Sequence, residues 1–464
     1  MKKRIGVFIM AFIMAVSAAG CGNGKTSEKT IEYKSDLPDY DAKRGQLELS
    51  LNAWYSPKPT DEAFAEYKDC GFNYVFLMGN QVGSLGDPRI KSALELCDKY
   101  GIKAFVDCGS QIQNCFDYKQ YNDYPAFVGF NIDEPMLYYN TVNHKQGVTE
   151  IGNYIESFEN AFPNKSFLIN MNPTTSLFLF PNDAEDYDAY IEGVHNALEN
   201  VRTGDKWLSV DDYPIMYNGS NKTNKNYLKA SWLEQLEYMA RYKEVYGDVK
   251  TNMFIQAMPY TPGHERIVSE ADLELQLYCC LAFNFDMISY FCYHSPSASE
   301  EFNDTDIALV DRNGAKQPLW DAAKRLNEEI RMFEHVYLQF NHWQGAYTAV
   351  GTNNSADNYD NKTLFLQRPL AENRLGELKK ITSTEDVLVS LARDDGNNCA
   401  YTVVNYNETT LGKSNRVTME FKNARYAIIY KGGEKSIAAL KDHKLELQLG
   451  VGEGAYIIPD HFSA

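Results

Sequence analysis

Two short acidic runs in this chain have the residue types and spacing for acid–base work. Asp133-Glu134-Pro135 ends the stretch FVGFNIDEP (127–135), and Asp211-Asp212-Tyr213-Pro214 ends WLSVDDYP (207–214). Each follows an apolar run of the kind a buried parallel strand needs, and each is closed by a proline that cannot continue the pairing. Carboxyl groups close together raise one another's pKa, so that one keeps its proton while another is ionised. Cleavage of a glycosidic bond needs that division: one acid protonates the leaving oxygen and a second carboxylate supplies charge. The competing reading is structural, since aspartate also caps helices and turns.

Whether these acids meet depends on the elements that carry them. From residue 46 a short apolar run, a loop and a helical pattern repeat. Strands are expected at 47–54, 72–78, 103–107, 127–135, 166–172, 207–214, 250–258 and 286–293. Helical spacing lies between most of them, beginning with a helix capped by Thr60 and ending with one at 319–333. Only the third crossover is short and irregular. Strands alternating with helices imply right-handed parallel crossovers, and eight such units predict a (β/α)8 barrel. An open doubly wound sheet would carry a glycine-rich phosphate turn after its first strand, and none is present. In a closed barrel the strand ends converge on one mouth. That mouth gathers Trp54, Asp107, Asp133, Glu134, Asn170, Asn172, Asp211, Asp212, Tyr213, Gln256, Tyr293 and His294. Amides, carboxyls and aromatic rings, with no serine–histidine or cysteine–histidine pair, suit an uncharged polyhydroxylated ligand. Amides and acids bond hydroxyls, and ring faces cover the apolar side of a sugar. Asp107 and His294 also have structural readings, as a strand-end acid and a packed histidine.

The N-terminus reads as a targeting segment. Lys2, Lys3 and Arg4 precede an apolar run, 5–16, that is too short to span a bilayer. It ends in Ser17-Ala18-Ala19-Gly20-Cys21, which resembles a bacterial lipobox, with Cys21 as the lipidated residue. Signal peptide 1–20, tether 21–45, barrel 46–338 and a β-sandwich at 339–464 are the expected parts. The sandwich follows from a change to period-two alternation after about residue 340, with strands expected from 363–367 to 455–459 and turns such as Lys431-Gly432-Gly433 between them.

A formal charge of −18, from 45 basic and 63 acidic residues, argues against nucleic acid as a partner. The eight cysteines beyond Cys21 show no zinc spacing, and several sit in apolar runs as small hydrophobes. Asp304-Thr305-Asp306 and Asn358-Tyr359-Asp360-Asn361 lack the glycine and terminal glutamate of a calcium loop. No cofactor is implied.

The barrel with Asp133-Glu134-Pro135 on its fourth strand resembles glycoside hydrolases of clan A. Gln317-Pro318-Leu319-Trp320 through Asn327-Glu328-Glu329-Ile330, leading into a sandwich, is similar to the family 42 type of architecture. By that resemblance Glu134 is the general acid/base of an enzyme acting on carbohydrate, and the N-terminal segment adds the expectation of export and a lipid anchor. One departure stands out: where clan A places a nucleophilic glutamate on strand seven, this chain has Gln256. Three readings stay open. Asp211 or Asp212 supplies the second charge; or Asp133 orients a substrate acetamido group, as in substrate-assisted hexosaminidases including family 123; or the protein is a non-catalytic glycan-binding lipoprotein.

Overall fold

The fourth strand shows how local sequence shapes the barrel. Phe127–Asp133 pairs in parallel with Lys103–Asp107 on one side and Ser166–Met171 on the other. Its start is bulged: Phe127 lies opposite Ala104 and Gly129 opposite Phe105, so Val128 is the extra residue. At Gly129 the neighbouring backbone comes so close that a Cβ would meet the Ser166 carbonyl oxygen at 1.9 Å. Only glycine fits there.

The computed structural model describes residues 35–138, 146–174, 184–218, 225–229, 231–260, 263–299, 302–353 and 376–461. Eight strands form one parallel sheet: Ser50–Ala53, Tyr74–Leu77, Lys103–Asp107, Phe127–Asp133, Ser166–Met171, Lys206–Asp211, Val249–Gln256 and Met287–Phe291. They follow one another in sequence order, and the eighth pairs with the first, which makes a nearly closed (β/α)8 barrel. Strands one and two meet at the remaining seam through Asn73. Its backbone N–H donates to Leu51 O (3.1 Å), its side-chain oxygen accepts from Leu51 N–H (2.8 Å), and its amide donates to Leu49 O (3.1 Å). One asparagine side chain thus supplies the pairing that the short strands leave out.

The helices form where their caps allow. Thr60 accepts from Ala63 N–H to open Asp61–Asp69, and Ser269 with Asp272 forms a capping box at Glu270–Ala282. Pro318 begins Pro318–Tyr337, which buries Trp320, Ala323, Leu326, Ile330, Phe333 and Tyr337 on one stripe. The third crossover is built of 3-10 turns at Ile112–Asp123, and a disulfide joins Cys108 to Cys115 beside it. The other six described cysteines are buried and form no disulfide.

After residue 340 two antiparallel sheets face each other. One has six strands, in the order His342–Ala349, Val387–Arg393, Cys399–Asn405, Gly454–Asp460, Tyr426–Lys431 and Glu434–Ala439. The other has three: Leu378–Ser383, Asn415–Phe421 and Lys444–Leu449. The expected strand at 363–367 lies outside the described residues. Alternation along the six-stranded sheet serves two cores. Tyr401, Val403, Ala427, Ile429, Ala455 and Ile457 face the three-stranded sheet, while Ala400, Val404, Ile428, Tyr430, Tyr456 and Ile458 join the barrel core. Phe333 of the last helix stacks on Tyr430 and Tyr456, with ring centroids 5.4 and 5.5 Å away.

Residues 35–45, expected as part of a tether, pack against the rest of the protein. Tyr40 is buried against Phe340 and donates to Asp394 Oδ2 (2.7 Å), and Ser35 donates to Asp460 Oδ2 (2.6 Å). Asp41 accepts from His335 and Lys435. A few anchoring contacts are enough to order such a segment, and composition does not register them. Residues 35–464 form one compact unit. Among the described residues no helix is long and apolar enough to cross a membrane.

Candidate active site

A cavity of about 260 Å³ opens at the carboxyl ends of the strands, where α/β barrels carry their chemistry. Its polar wall is Asp133, Glu134, Asn170 and Asp211; its apolar wall includes Trp54, Tyr213, Phe254, Tyr260, Phe291 and Phe302. Strand parity explains the acids. Trp207, Ser209 and Asp211 project toward the barrel interior, whereas Leu208, Val210 and Asp212 turn outward. Asp212 is accordingly buried away from the cavity and paired with Lys229.

Glu134 is brought in by a sharp turn. Its backbone has φ +43°, a left-handed conformation that costs a non-glycine residue about 1 kcal/mol or more, and its N–H donates to Asn170 O (2.8 Å). Tyr55, also on the cavity wall, has φ +57°. The turn is held from behind, where Pro135 O accepts from Tyr190 OH (2.8 Å) and from the Asn172 amide (3.3 Å). Asn172 thus shapes the site without being among its described lining residues.

Asn170 links the acids. Its amide nitrogen donates to Asp133 Oδ1 (2.9 Å) and to Asp211 Oδ1 (3.1 Å), so one NH2 group sits between two carboxyl groups. Burial, then the charges of Glu134 and Asp133, push the Asp211 carboxyl well above the usual carboxylate range, against the Asn170 bond that lowers it. Asp211 therefore holds its proton more tightly than an ordinary carboxyl group. A carboxyl group of that kind beside two more acids is the equipment for protonating a leaving oxygen.

Several expected contacts lie elsewhere. Gln256 is fully buried: its amide donates to Met258 O (3.2 Å), and its oxygen faces His264 Nδ1 (3.3 Å). Gln276 clamps the same residue through its backbone, accepting from Gln256 N–H (2.7 Å) and donating to Gln256 O (3.0 Å). Gln256 thus ties down the loop after strand seven. Tyr293 packs in the core against Tyr67 and Phe72, at 4.7 and 6.0 Å. His294 is buried with Nδ1 2.8 Å from the Gln81 amide, and burial lowers its pKa. None of the three is among the described lining residues. Asp107 accepts from Gly109 N–H and from the Asn131 amide at the end of strand three.

Trp54 and Tyr213 do line the cavity. Trp54 is fixed edge-on between Phe76 and Phe254 (5.3 and 5.2 Å), and Tyr213 lies 5.4 Å from both Tyr260 and Phe291. Residue types at strand ends did not point to Phe254, Tyr260, Phe291 or Phe302. Parity along strand seven, where Asn252 and Phe254 share the interior face, was the available signal for one of them. Among the described residues, no group of three or more histidine, cysteine or acidic side chains could hold a metal ion.

No protein-family model matches the chain, and no curated protein matches it. Solved structures do resemble it. A family 39 glycoside hydrolase from the gut symbiont Bacteroides cellulosilyticus WH2 aligns over 89% of this chain and 81% of its own, at 10% identity and a TM-score of 0.48. A β-galactosidase from the Antarctic haloarchaeon Halorubrum lacusprofundi aligns over 89% and 99%, at 10% identity and 0.47. A family 27 β-L-arabinopyranosidase from Geobacillus stearothermophilus aligns over 90% and 98%, at 9% identity and 0.45. Likenesses this distant concern architecture alone, and the chemical argument rests on the cavity and its acids.

Proposed function

We propose that this protein is a glycoside hydrolase in which Asp211 and Glu134 divide the acid and base roles across one sugar-sized cavity. The observation that carries the reading is the cluster itself: three carboxyl groups and one amide in an otherwise aromatic cavity at the mouth of a barrel. Asp211, which holds its proton more tightly than an ordinary carboxyl group, protonates the leaving oxygen. Glu134 supplies the second carboxyl group, and Trp54 and Tyr213 offer ring faces to the substrate. This reverses the role the clan A resemblance gives Glu134, because the burial and charge around Asp211 favour the proton there. Asp212 is left out, since Lys229 neutralises it outside the cavity.

A panel of aryl glycosides, N-acetylhexosaminides included, tests the assignment. Asp211→Asn is expected to lose about 10²–10⁴-fold on poor leaving groups and to keep much of its rate on activated ones, which need no proton. Glu134→Gln is expected to lose on both. The opposite pattern gives the donor role to Glu134. Wild-type rates in both variants would refute the hydrolase site, and glycan binding without turnover in the unmodified protein would make it a glycan-binding lipoprotein. We also propose export and lipid anchoring at Cys21. Incorporation of labelled fatty acid that persists in Cys21→Ala would remove that proposal.

A further inference from the structure

A line of buried polar groups crosses the barrel interior and ends at the acids. Ser289 Oγ donates to Asn252 Oδ1 (2.8 Å), and the Asn252 amide donates to Ser209 Oγ (2.7 Å). Ser209 Oγ donates to Asn170 Oδ1 (2.8 Å), and the Asn170 amide donates to Asp133 and Asp211. The four residues stand on strands eight, seven, six and five, and Asn252, Ser209 and Ser289 have no exposure at all.

The direction of this line follows from the valence of its members. An amide between a carboxylate and a protonated carboxyl group is ambivalent, because it can offer NH2 to both or turn its oxygen to the acid's O–H. Here the Asn170 oxygen is already taken by the Ser209 hydroxyl. That hydroxyl has one hydrogen, and it accepts from the Asn252 NH2 whose own oxygen is taken by Ser289. Turning Asn170 alone would leave the Ser209 hydrogen without an acceptor, and turning Asn252 alone would leave two amide oxygens competing for that one hydrogen, in a dry interior where an unmade bond costs about 1–3 kcal/mol.

We propose that Ser289, Asn252 and Ser209 are positioning residues whose one-way hydrogen-bond line locks the Asn170 amide with its NH2 toward Asp133 and Asp211. Its chemical consequence concerns which oxygen carries the proton. With Oδ1 of Asp211 accepting from Asn170, the proton resides on Oδ2, where it is not consumed by a bond to the asparagine. Without the line, Asn170 turns over and accepts that proton, holding Asp211 neutral more firmly and withholding it from a leaving group. The groups facing Asp211 are Asp133 and Glu134 from strand four, Asn170 from strand five, and Asp212 and Tyr213 on its own chain segment. Phe254 stands opposite it on strand seven.

The inference rests on the reading of Asp211 as the proton carrier, and its test has a readout apart from activity. In the full-length, detergent-solubilised protein labelled with carboxyl-¹³C aspartate, the infrared carbonyl band of protonated Asp211 is identified by its loss in Asp211→Asn and followed with pH. Ser209→Ala frees the Asn170 oxygen and is expected to make Asp211 about three- to tenfold weaker as an acid. Ser209→Thr, which keeps the hydroxyl, returns the midpoint to that of the wild type. Ser289→Ala, at the far end, moves it in the same direction by less, and it serves if Ser209→Ala does not fold. An unmoved midpoint in the alanine variants overturns the inference. Wild-type glycosidase rates in Asp211→Asn would instead overturn the catalytic reading, while the infrared shift still decides whether the line orients Asn170.

Discussion

Two of the acid clusters among the described residues, each half-buried, are built differently. At the mouth, Asp133, Glu134 and Asp211 line a cavity, with one neutral amide between two of them. Between the barrel and the six-stranded sheet, Glu274, Glu329 and Glu453 come together from two helices and a turn. Burial, then Glu329, Glu453 and Glu270, raise Glu274 to about 8. In the second cluster Glu329 and Glu453 are held by neighbouring protein groups. Tyr278 OH and Gly432 N–H donate to Glu329 (2.5 and 2.9 Å), and Lys431 pairs with Glu453 at 2.7 Å. A raised carboxyl pKa is thus common to both, and the first cluster lines a cavity. Perturbed acidity marks a candidate; an open space beside it makes a site.

The largest effect that separates the two clusters is on rate. Asp211→Asn is expected to lower turnover of an unactivated glycoside by at least about a hundredfold, whereas Glu274→Gln leaves it unchanged. Equal losses would erase the distinction. Next comes stability at the acid beside the site: Lys229→Met strands buried Asp212 without its cation and should cost about 3–5 kcal/mol in a denaturant titration. A third measurement is the pH dependence of unfolding. Glu274 binds its proton more tightly folded than unfolded, so its contribution is present below its ordinary 4.5 and is lost as pH rises through about 8. Thermal midpoints should therefore fall less steeply over that interval in Glu274→Gln. Smallest is Tyr278→Phe, which removes one bond to Glu329 and is expected to cost about 1–2 kcal/mol with no change in rate.

Much of the barrel could be read from the chain because its strands are apolar on both faces and its helices are capped. The stretch 127–135 contains the strand its composition suggests, Phe127–Asp133, and Thr60 caps the helix it precedes. Choosing between Asp211 and Asp212 from composition was out of reach, since adjacent residues point to opposite sides of a strand. Counting back in twos to Trp207 would have chosen Asp211, as that ring fills the barrel interior. The placement of Gln256 was less accessible. It bonds to Met258 and His264, and the fold of that loop is set by tertiary contacts such as Tyr217 N–H to Gly263 O (2.7 Å). The polar line through Ser289, Asn252 and Ser209 was equally hidden. Small polar residues inside apolar runs look like imperfections until four strands are aligned.

The six-stranded sheet, buried on both sides, also bears on how this chain can be cut and recombined. Severing it after the last barrel helix would leave Phe333, Tyr337 and Phe340 facing water where Tyr430 and Tyr456 now lie. The excised sheet would in turn display Ile428, Tyr430, Tyr456 and Ile458. Each fragment would carry a sticky apolar surface of the kind that drives aggregation. Gene fusions and truncations that keep the protein soluble must therefore treat residues 35–461 as one indivisible part, and new modules belong before it or after it.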